Sequence, residues 1–296
     1  MVGPTASGKS ELALDIADDS FEIISADSVQ VYRYMDIGSC KPEKKDLERI
    51  KHHLIDIVDP DYQFTAGEFC IRAASACEEI FRKQKIPLFA GGTGLYISSF
   101  FGGISEIPEI ERSIKQTLSE EAESKGLDIL FAELQKSDPE FAAKIHPNDR
   151  QRIIRGLEVY RGTGKPLSSY HKEVKPGIDS DVFIAGLYLE RDVLYKRIEC
   201  RVDDMIRKGL VDEVVSLRRK GYSPQLNSMR TIGYSEINEY IDNKTGLEEA
   251  VQKIKTNTKK YAKKQMTWLK KMKGVIWFDS VEKKIVKEKI KNWLKQ

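Results

Sequence analysis

The eight residues GPTASGKS, at positions 3–10, constrain the fold of this chain more than any other feature of its sequence. Two glycines allow a tight turn that directs successive N–H groups inward, and the helical pattern LALDIA follows directly. Lys9 adds a positive charge, and the Ser10 hydroxyl can reach a magnesium ion. The spacing predicts a loop that holds a chain of phosphates, and a plain glycine-rich turn is the alternative. The candidate binding residues are Gly3, Pro4, Thr5, Ala6, Ser7, Gly8, Lys9 and Ser10.

A loop of this kind joins a buried strand to a helix in a parallel sheet. Short apolar runs alternate with helical patterns along the chain, which predicts an α/β fold: a P-loop NTPase-like parallel sheet flanked by helices. Because only Met1 and Val2 precede the loop, we expect a first strand to precede Met1 in the natural chain. The candidate strands are 21–25, 54–58, 87–90, 182–189 and 275–278.

Residues 106–177 have a different pattern, which is helical and free of strand-like runs. Gly126, Pro139, Pro147 and Gly162 divide it into segments. We interpret 106–177 as an all-α insertion domain. Residues 1–105 and 178–296 are then the two parts of one core domain.

The bulk composition excludes several classes of protein. The formal net charge is only +3, so a nucleic-acid site would depend on local clustering of cations. The four cysteines lie in unrelated contexts, which argues against a zinc site or a disulfide framework and favours a reducing compartment. No apolar run reaches membrane-spanning length. We therefore expect a cytoplasmic protein with no membrane partner.

Two further strand ends carry side chains suited to a ligand. The loop GGTG, residues 91–94, follows the apolar run IPLFA and offers the hydroxyl of Thr93. Asp27 follows FEIISA and precedes Ser28 and Gln30, which can hydrogen-bond to a base edge. Because parallel strands end at one edge of a sheet, both corners should lie near the phosphate loop. A plain tight turn at GGTG and an Asx turn at Asp27 remain alternatives.

Two basic segments are candidates for contact with nucleic acid. In QRIIR, residues 151–155, Arg152 and Arg155 lie three positions apart on one helix face. Residues 251–274 contain many lysines and no acidic residue, around an apolar helical stripe. A solvated helix face is the alternative for both, and composition alone favours it only for QRIIR.

The order and spacing of these segments resemble the tRNA dimethylallyltransferases (tRNA isopentenyltransferases) of the bacterial type over nearly the whole chain. The resemblance implies transfer of a dimethylallyl group from dimethylallyl diphosphate to N6 of the adenosine that follows the anticodon of tRNA. The phosphate loop would then hold the diphosphate, with Mg²⁺, rather than ATP. The matching segments are GPTASGKS, ADSVQVYRYMDIGSCKP, HHLIDIVDP, FTAGEF, GGTGLY, HPNDRQRIIRGLEVY, LERDVLYKRI with RVDDMI, MRTIGY and YAKKQMTWLKK.

The same resemblance implies roles for individual residues. Asp27 would be the general base for the N6 proton, and Thr93 would lie beside the reacting carbon. Arg230, in MRTIGY, would be a second cation on the diphosphate, although it could equally be a surface arginine near a turn. Lys9, and Ser10 with its Mg²⁺, would stabilise the leaving group. The residues implied in tRNA binding are Asp27, Ser28, Val29, Gln30, Thr93, Arg112, Gln151, Arg152, Ile153, Ile154, Arg155, Thr258, Lys259 and Lys260.

Three other functions stay open on the sequence. A nucleotide or small-molecule kinase would turn over ATP and would have no use for the basic helix. A prenyltransferase acting on free AMP or ATP would not need QRIIR. A non-enzymatic RNA-binding protein would not need an intact Lys9 and Asp27.

We favour a monomer whose insertion domain binds the anticodon stem-loop of tRNA.

Overall fold

The computed structural model describes residues 1–105, 107–170 and 174–295, without the side chains of Ile104, Arg112, Val174 and Lys175. The chain divides into a core unit (Met1–Phe101 with Gly177–Gln296) and an inserted unit (Gly102–Pro176). None of the helices in the described ranges is both long and apolar enough to cross a membrane.

The secondary structure alternates between strands and helices on either side of a helical segment. The first part of the chain contains α1 (Lys9–Ile16), β1 (Phe21–Ala26), α2 (Lys44–Arg49), β2 (His52–His53), α3 (Ala66–Arg82), β3 (Ile86–Gly91) and α4 (Gly94–Gly102). The middle part contains β4 (Ile104–Ser105), α5 (Arg112–Ser124), α6 (Leu127–Ser137), α7 (Pro139–Ala142), α8 (Arg150–Thr163), α9 (Leu167–Tyr170) and β5 (Val174–Lys175). The last part contains β6 (Ile184–Tyr188), α10 (Arg191–Arg207), α11 (Leu210–Arg219), a 3₁₀ helix (Ser228–Arg230), α12 (Tyr234–Ile241), α13 (Leu247–Leu269), β7 (Val275–Asp279) and α14 (Lys283–Trp293).

The strands of the core unit are parallel. Strand β1 lies between β2 and β3, and β6 pairs with β7. Val2 joins the two sets, because its N–H donates to the Ala185 carbonyl at 2.8 Å and its carbonyl accepts from Leu187 N–H at 2.8 Å, while it also bridges to Gly91. The α/β fold with a small parallel sheet, predicted from the sequence, is confirmed.

Burial on both faces explains the uninterrupted apolar strands. All six residues of β1 are buried, which is typical of a parallel sheet covered by helices on both sides. Leu12 of α1 and Val286 of α14 belong to one buried cluster with Ile23 of β1. On α3, the ring of Phe69 stacks on Tyr96 at 4.5 Å between centroids.

One predicted strand is wrong. The run 54–58 was expected to be extended, but the strand is limited to His52–His53. Leu54 and Asp56 have φ angles of 63° and 55°, in the left-handed region, so the backbone leaves the sheet there. The four other predicted strands are present, with bounds that differ by one or two residues.

The inserted unit has its own apolar core. The buried side chains on α5, α6 and α8 include Leu118, Leu134 and Ile153. The unit is not purely helical, because β5 pairs antiparallel with β4. This pairing corrects the prediction that 106–177 contains no strand, and its two-residue strands are too short to give a periodic signal.

Candidate active site

The phosphate loop leaves the sheet through a gap that only glycine fits. A Cβ on Gly3 would lie 2.6 Å from the carbonyl oxygen of Leu187 in β6. At the other end, Gly8 adopts a left-handed φ of 86° and precedes the first residue of α1. The first N–H groups of α1 have no partner within the helix, so they are available to an anion.

A cavity of about 540 Å³ opens over this loop, and we call it the phosphate cavity. The loop residues that line it are Thr5, Ala6, Gly8, Lys9 and Ser10, whereas Gly3, Pro4 and Ser7 are buried. Cations from α10 complete the lining: Lys196, Arg197 and Arg201. The cavity therefore combines backbone N–H groups with several positive charges, as a di- or triphosphate requires.

Lys9 is buried within its own loop, and its Nζ donates to the Pro4 carbonyl at 2.6 Å. Burial and, to a smaller extent, the nearby Arg201 lower the pKa of Lys9 to about 7, and the Asp27 carboxylate opposes the shift. An anion bound in the cavity would favour the charged form, because opposite charges raise the pKa of an amine.

Arg201 is a site residue that the sequence reasoning missed. Its Nη1 donates to Thr5 Oγ1 at 3.1 Å, which attaches α10 to the phosphate loop. Arg197 precedes it by one helical turn and lines the same cavity. Their four-residue spacing, on the helix that follows a core strand, was a signal in the sequence that could have identified them.

Asp27 lies at the end of β1 and uses one carboxylate oxygen to form an Asx turn. Its Oδ1 accepts the N–H groups of Val29 at 2.9 Å and Gln30 at 3.3 Å. No hydrogen bond from the described residues reaches Oδ2. The Asx turn, considered above as an alternative to a functional role, is therefore present, and it leaves the second oxygen available for chemistry.

A second cavity, of about 310 Å³, adjoins the first. Ser28, Val29, Arg230 and Thr258 line only this one, whereas Gln30 lines the phosphate cavity. Six residues line both cavities: Thr5, Asp27, Ser39, Cys40, Arg201 and Tyr261. The Asp27 carboxylate therefore lies where a ligand in one cavity would meet a ligand in the other.

Thr93 connects the GGTG loop to the residue after Asp27. Its Oγ1 accepts the Ser28 N–H at 3.0 Å and donates to Ser28 Oγ at 3.4 Å. The described lining residues of the two cavities do not include Thr93. Thr93 thus fixes the position of Ser28, which lines the second cavity.

Helix α13 attaches both glycine loops to the core. The buried Gln265 accepts the Thr5 N–H at 2.8 Å through Oε1 and donates from Nε2 to the Gly92 carbonyl at 2.8 Å. A Cβ on Gly92 would lie 2.3 Å from that Nε2, so the loop needs glycine there. The sequence placed Gln265 on a helical stripe but gave no indication that it bridges two loops.

Tyr261, one turn before Gln265, lies beside the same groups. The side chains of Thr93 and Gln265 lie beside its hydroxyl and oppose a rise in its pKa. Burial of the hydroxyl, together with the negative charge of Asp27, raises the pKa of Tyr261 to about 12. The hydroxyl is therefore protonated at neutral pH and can donate a hydrogen bond.

Arg230 is the last residue of the 3₁₀ helix Ser228–Arg230. It is exposed and lines the second cavity, and it is absent from the described lining of the phosphate cavity. The role of second cation on a diphosphate stays a prediction for Arg230, and Arg201 is an arginine that lines both cavities. Arg230 is far from the loop in sequence, so no local pattern could fix the direction of its side chain.

The basic helix offers fewer free cations than its sequence indicated. Lys259 pairs with Glu199 of α10 at 2.5 Å, and Lys255 pairs with Asp203 at 2.6 Å. Lys260 is exposed, with no ion pair to the described residues. The acids that neutralise Lys255 and Lys259 lie on another helix, so the acid-free sequence of residues 251–274 did not reveal them.

In the inserted unit, QRIIR forms the first part of α8. Arg152 and Arg155 are exposed and pair with Asp149 at 3.0 Å and with Glu158 at 2.9 Å. Ile153 and Ile154 are 0% and 7% exposed in the core of the unit. These two side chains cannot contact RNA, which corrects their place in the predicted site. Gln151 is exposed, and Arg112 begins α5 with its side chain outside the described part.

Comparisons with known proteins agree with this architecture. Residues 30–272 match the family described as IPP transferase. A tRNA dimethylallyltransferase of Thermoanaerobacter sp. (strain X514) is 44% identical over 301 residues, which cover 100% of this chain and 95% of that protein. The crystal structure of the full-length tRNA isopentenylpyrophosphate transferase from Bacillus halodurans has 37% identity and a TM-score of 0.70, over 99% of this chain and 93% of that one.

A further similar structure is that of a eukaryotic dimethylallyltransferase acting on tRNA. It has 32% identity and a TM-score of 0.82, over 94% of this chain and 72% of that one. The resemblance noted in the sequence motifs is thereby confirmed. The chain belongs to the IPP transferase family, together with the tRNA dimethylallyltransferases that it matches over its full length.

Proposed function

We propose that this chain transfers the dimethylallyl group of dimethylallyl diphosphate to N6 of the adenosine that follows the anticodon of tRNA. Diphosphate is the second product. The names of its relatives support this assignment, since they are tRNA dimethylallyltransferases. The structural observation that carries it is the position of Asp27, on the wall shared by a phosphate-binding cavity and a second cavity.

The P-loop-like segment 3–10 holds the diphosphate of the donor in this proposal. The N-terminal N–H groups of α1, with Lys9 and Arg201, stabilise the negative charge that grows on the leaving group. Arg201 takes the part of an arginine finger, because it already donates to Thr5 of the loop. Arg197 adds a further positive charge to the same cavity.

Oxygen ligands for Mg²⁺ are present at the same place. The exposed Ser10 hydroxyl and the Asp27 carboxylate line the phosphate cavity, and Mg²⁺ prefers hydroxyl, carboxylate and phosphate oxygens. We assign Ser10 as the protein ligand of Mg²⁺ and keep Asp27 for proton transfer. A bound Mg²⁺ would neutralise charge on the diphosphate.

The chemistry requires one base and a dry, well-aligned pair of reactants. The N6 atom forms a bond to the allylic carbon while the bond from carbon to the diphosphate oxygen breaks. Asp27 accepts the proton that N6 loses, through Oδ2, while its Oδ1 is held by Val29 and Gln30. Thr93 orients Ser28 through a hydrogen bond, and Tyr261 lies beside Thr93, so these residues shape the wall beside the reacting atoms.

The tRNA provides the acceptor base. An adenine in a stacked loop must turn out of the stack before its N6 can react. We assign the second cavity to that base, with Ser28, Val29, Thr258 and Arg230 on its wall. Gln30, on the phosphate-cavity side, would fix the same segment.

Residues 106–177 are proposed as the insertion domain that grips the anticodon stem-loop, with 1–105 and 178–296 as the catalytic core. Gln151, Arg152 and Arg155 face solvent and would contact the RNA backbone. Arg112, Lys259 and Lys260 complete the predicted RNA contacts. A monomeric state and a cytoplasmic location stay predictions.

A direct assay tests the proposal. The purified chain is incubated with Mg²⁺, dimethylallyl diphosphate and unmodified tRNA, and the digested tRNA is analysed by mass spectrometry. We expect adenosine bearing one five-carbon unit in the nucleotide next to the anticodon, and none with ATP in place of the donor. A tRNA without the added unit, together with turnover of ATP, would favour the kinase alternative.

A further inference from the structure

Glu213 of α11 binds the backbone of a loop that is distant in sequence. Its Oε2 accepts the N–H groups of Asp36 at 2.9 Å and Ile37 at 2.7 Å, and its Oε1 accepts that of Gly38 at 3.1 Å. Three successive N–H groups that converge on one carboxylate form an anion-binding turn whose anion is supplied by the protein itself.

Tyr234 completes this arrangement from α12. Its hydroxyl donates to Glu213 Oε1 at 2.7 Å, and its ring is fully buried. A Cβ on Gly38 would lie 2.4 Å from that ring, so the loop packs flat on the tyrosine. Burial, with Glu213 beside it, raises the pKa of Tyr234, so the hydroxyl stays protonated and donates.

The loop held in this way is a wall of the proposed active site. Gly38, Ser39 and Cys40 line the second cavity, and the last two also line the phosphate cavity. The side chain of Gln30 donates to the carbonyls of Ser39 and Cys40, at 3.3 and 3.2 Å. The loop is therefore tied to the turn that Asp27 forms.

The same contact also reaches a second segment of the wall of the second cavity. Tyr234 is the first residue of α12 and follows Arg230, Thr231 and Ile232, which all line that cavity. Ser228, just before them, donates to the Pro60 carbonyl at 2.5 Å and is buried. The pair Glu213–Tyr234 thus connects the segment that carries Arg230 to the loop 36–40.

We propose that Glu213 and Tyr234 are positioning residues that fix the width of the second cavity for the nucleotide to be modified. This inference rests on the proposed function, and it assigns the effect to the acceptor RNA rather than to the diphosphate donor. Neither Glu213 nor Tyr234 is among the described residues that line the two cavities, so neither is assigned a contact with substrate.

The first test measures the contact itself and does not depend on activity. Amide hydrogen exchange is compared in the wild-type chain and in Glu213→Gln, in which one oxygen is replaced by an amide that repels N–H donors. We expect exchange at Asp36, Ile37 and Gly38 to accelerate by about tenfold or more, while amides of β1 keep their protection. Unchanged exchange in loop 36–38 would overturn the proposal.

The second test separates the two substrates. For Glu213→Gln we expect the KM for tRNA to rise about tenfold, and for Tyr234→Phe about threefold, with the affinity for dimethylallyl diphosphate within about twofold of wild type. Matched controls are Asp212→Asn, an exposed acid beside Glu213, and Tyr240→Phe on the same helix as Tyr234. Both controls should leave the two constants unchanged.

The double variant checks that the two residues act through one contact. Because the tyrosine acts through the carboxylate, Glu213→Gln with Tyr234→Phe should be no worse than Glu213→Gln alone. Equal losses for both substrates, or a lower melting temperature without any change in KM, would assign a merely structural role and overturn the inference. An inactive wild-type chain would instead contradict the proposed function.

Discussion

Arg201 Nη1 donates a hydrogen bond to Thr5 Oγ1 at 3.1 Å, so helix α10, which is distant from the phosphate loop in sequence, supplies an arginine to it. The contact places a guanidinium beside the backbone that would hold the leaving group. Arg230, in contrast, lines the second cavity. The two arginines should therefore affect different steps of the reaction.

Replacing Arg201 by alanine should lower kcat by ~10²–10³-fold, because a fixed charge on the leaving diphosphate is lost. The measurement is single-turnover prenyl transfer at saturating substrates. Arg207→Ala, an exposed residue of the same helix, serves as the control and should retain full activity. If Arg230→Ala gave the larger loss of kcat while Arg201→Ala raised only the KM for tRNA, the two assignments would have to be exchanged.

Replacing Asp27 by asparagine should lower kcat by ~10²–10⁴-fold, because the amide cannot accept the N6 proton. An asparagine oxygen can still accept the N–H groups of Val29 and Gln30, so the turn is preserved. Binding of tRNA, measured by fluorescence anisotropy, should therefore be nearly unchanged. A variant that turns over at the wild-type rate would remove Asp27 from the role of general base.

Binding of an anion at the phosphate loop should be accompanied by proton uptake at Lys9. The pKa of this lysine is about 7 in the free protein, chiefly because of burial, and a diphosphate raises it. At pH 8 most Lys9 side chains are neutral before binding, so affinity should decrease as the pH rises above 7. Calorimetry of diphosphate binding in buffers of different ionisation enthalpy measures the protons taken up.

The matched control for this experiment is Lys9→Met, which retains the chain length and cannot titrate. The difference in proton uptake between wild type and variant removes the contribution of the diphosphate itself. Equal uptake by the two proteins would show that Lys9 does not change its protonation state on binding.

Replacing Gln265 by leucine should destabilise the core unit, since the half-buried Thr5 N–H and the buried Gly92 carbonyl both lose their partner. Loss of these two hydrogen bonds predicts a decrease of about 2–4 kcal/mol in the free energy of unfolding. Urea denaturation measures it, with Gln252→Leu as an exposed control on the same helix. A loss below 0.5 kcal/mol, on the order of a surface substitution, would show that the bridge contributes little.

Lysines of α13 should differ in their effect on RNA binding. Lys260→Ala is expected to weaken tRNA binding and to reduce the salt dependence of the binding constant by about one phosphate contact. Lys259→Ala should have a smaller effect, because Glu199 already neutralises that ammonium. Titrations at several salt concentrations compare the two. Equal slopes for both variants and the wild type would exclude this helix from the RNA surface.

The local chemistry of the site could be predicted from the sequence, whereas its long-range contacts could not. The phosphate loop, Asp27 and the GGTG loop are each defined by a short pattern that follows a strand, and the parallel sheet brings them to one edge. Arg201, Gln265 and Tyr261 reach that edge from helices more than 100 residues away. Their direction depends on how α10 and α13 pack, which no local pattern reports.

The errors in the fold have a similar origin. The run 54–58 has a strand-like composition. However, Leu54 and Asp56 adopt left-handed backbone conformations, which turn the chain away from the sheet. The pair β4–β5 is only two residues long on each side, so it gives no periodic signal. In QRIIR the arginines suggested an RNA contact for the whole segment, although helical periodicity directs Ile153 into the core.

The wall shared by the two cavities has a thermodynamic consequence. Thr5, Asp27 and Arg201 line both cavities. A ligand in one cavity that moves any of these residues therefore changes the binding free energy of a ligand in the other cavity. Thermodynamic linkage then requires reciprocity. If the bound donor increases the affinity for RNA by some factor, bound RNA must increase the affinity for the donor by the same factor.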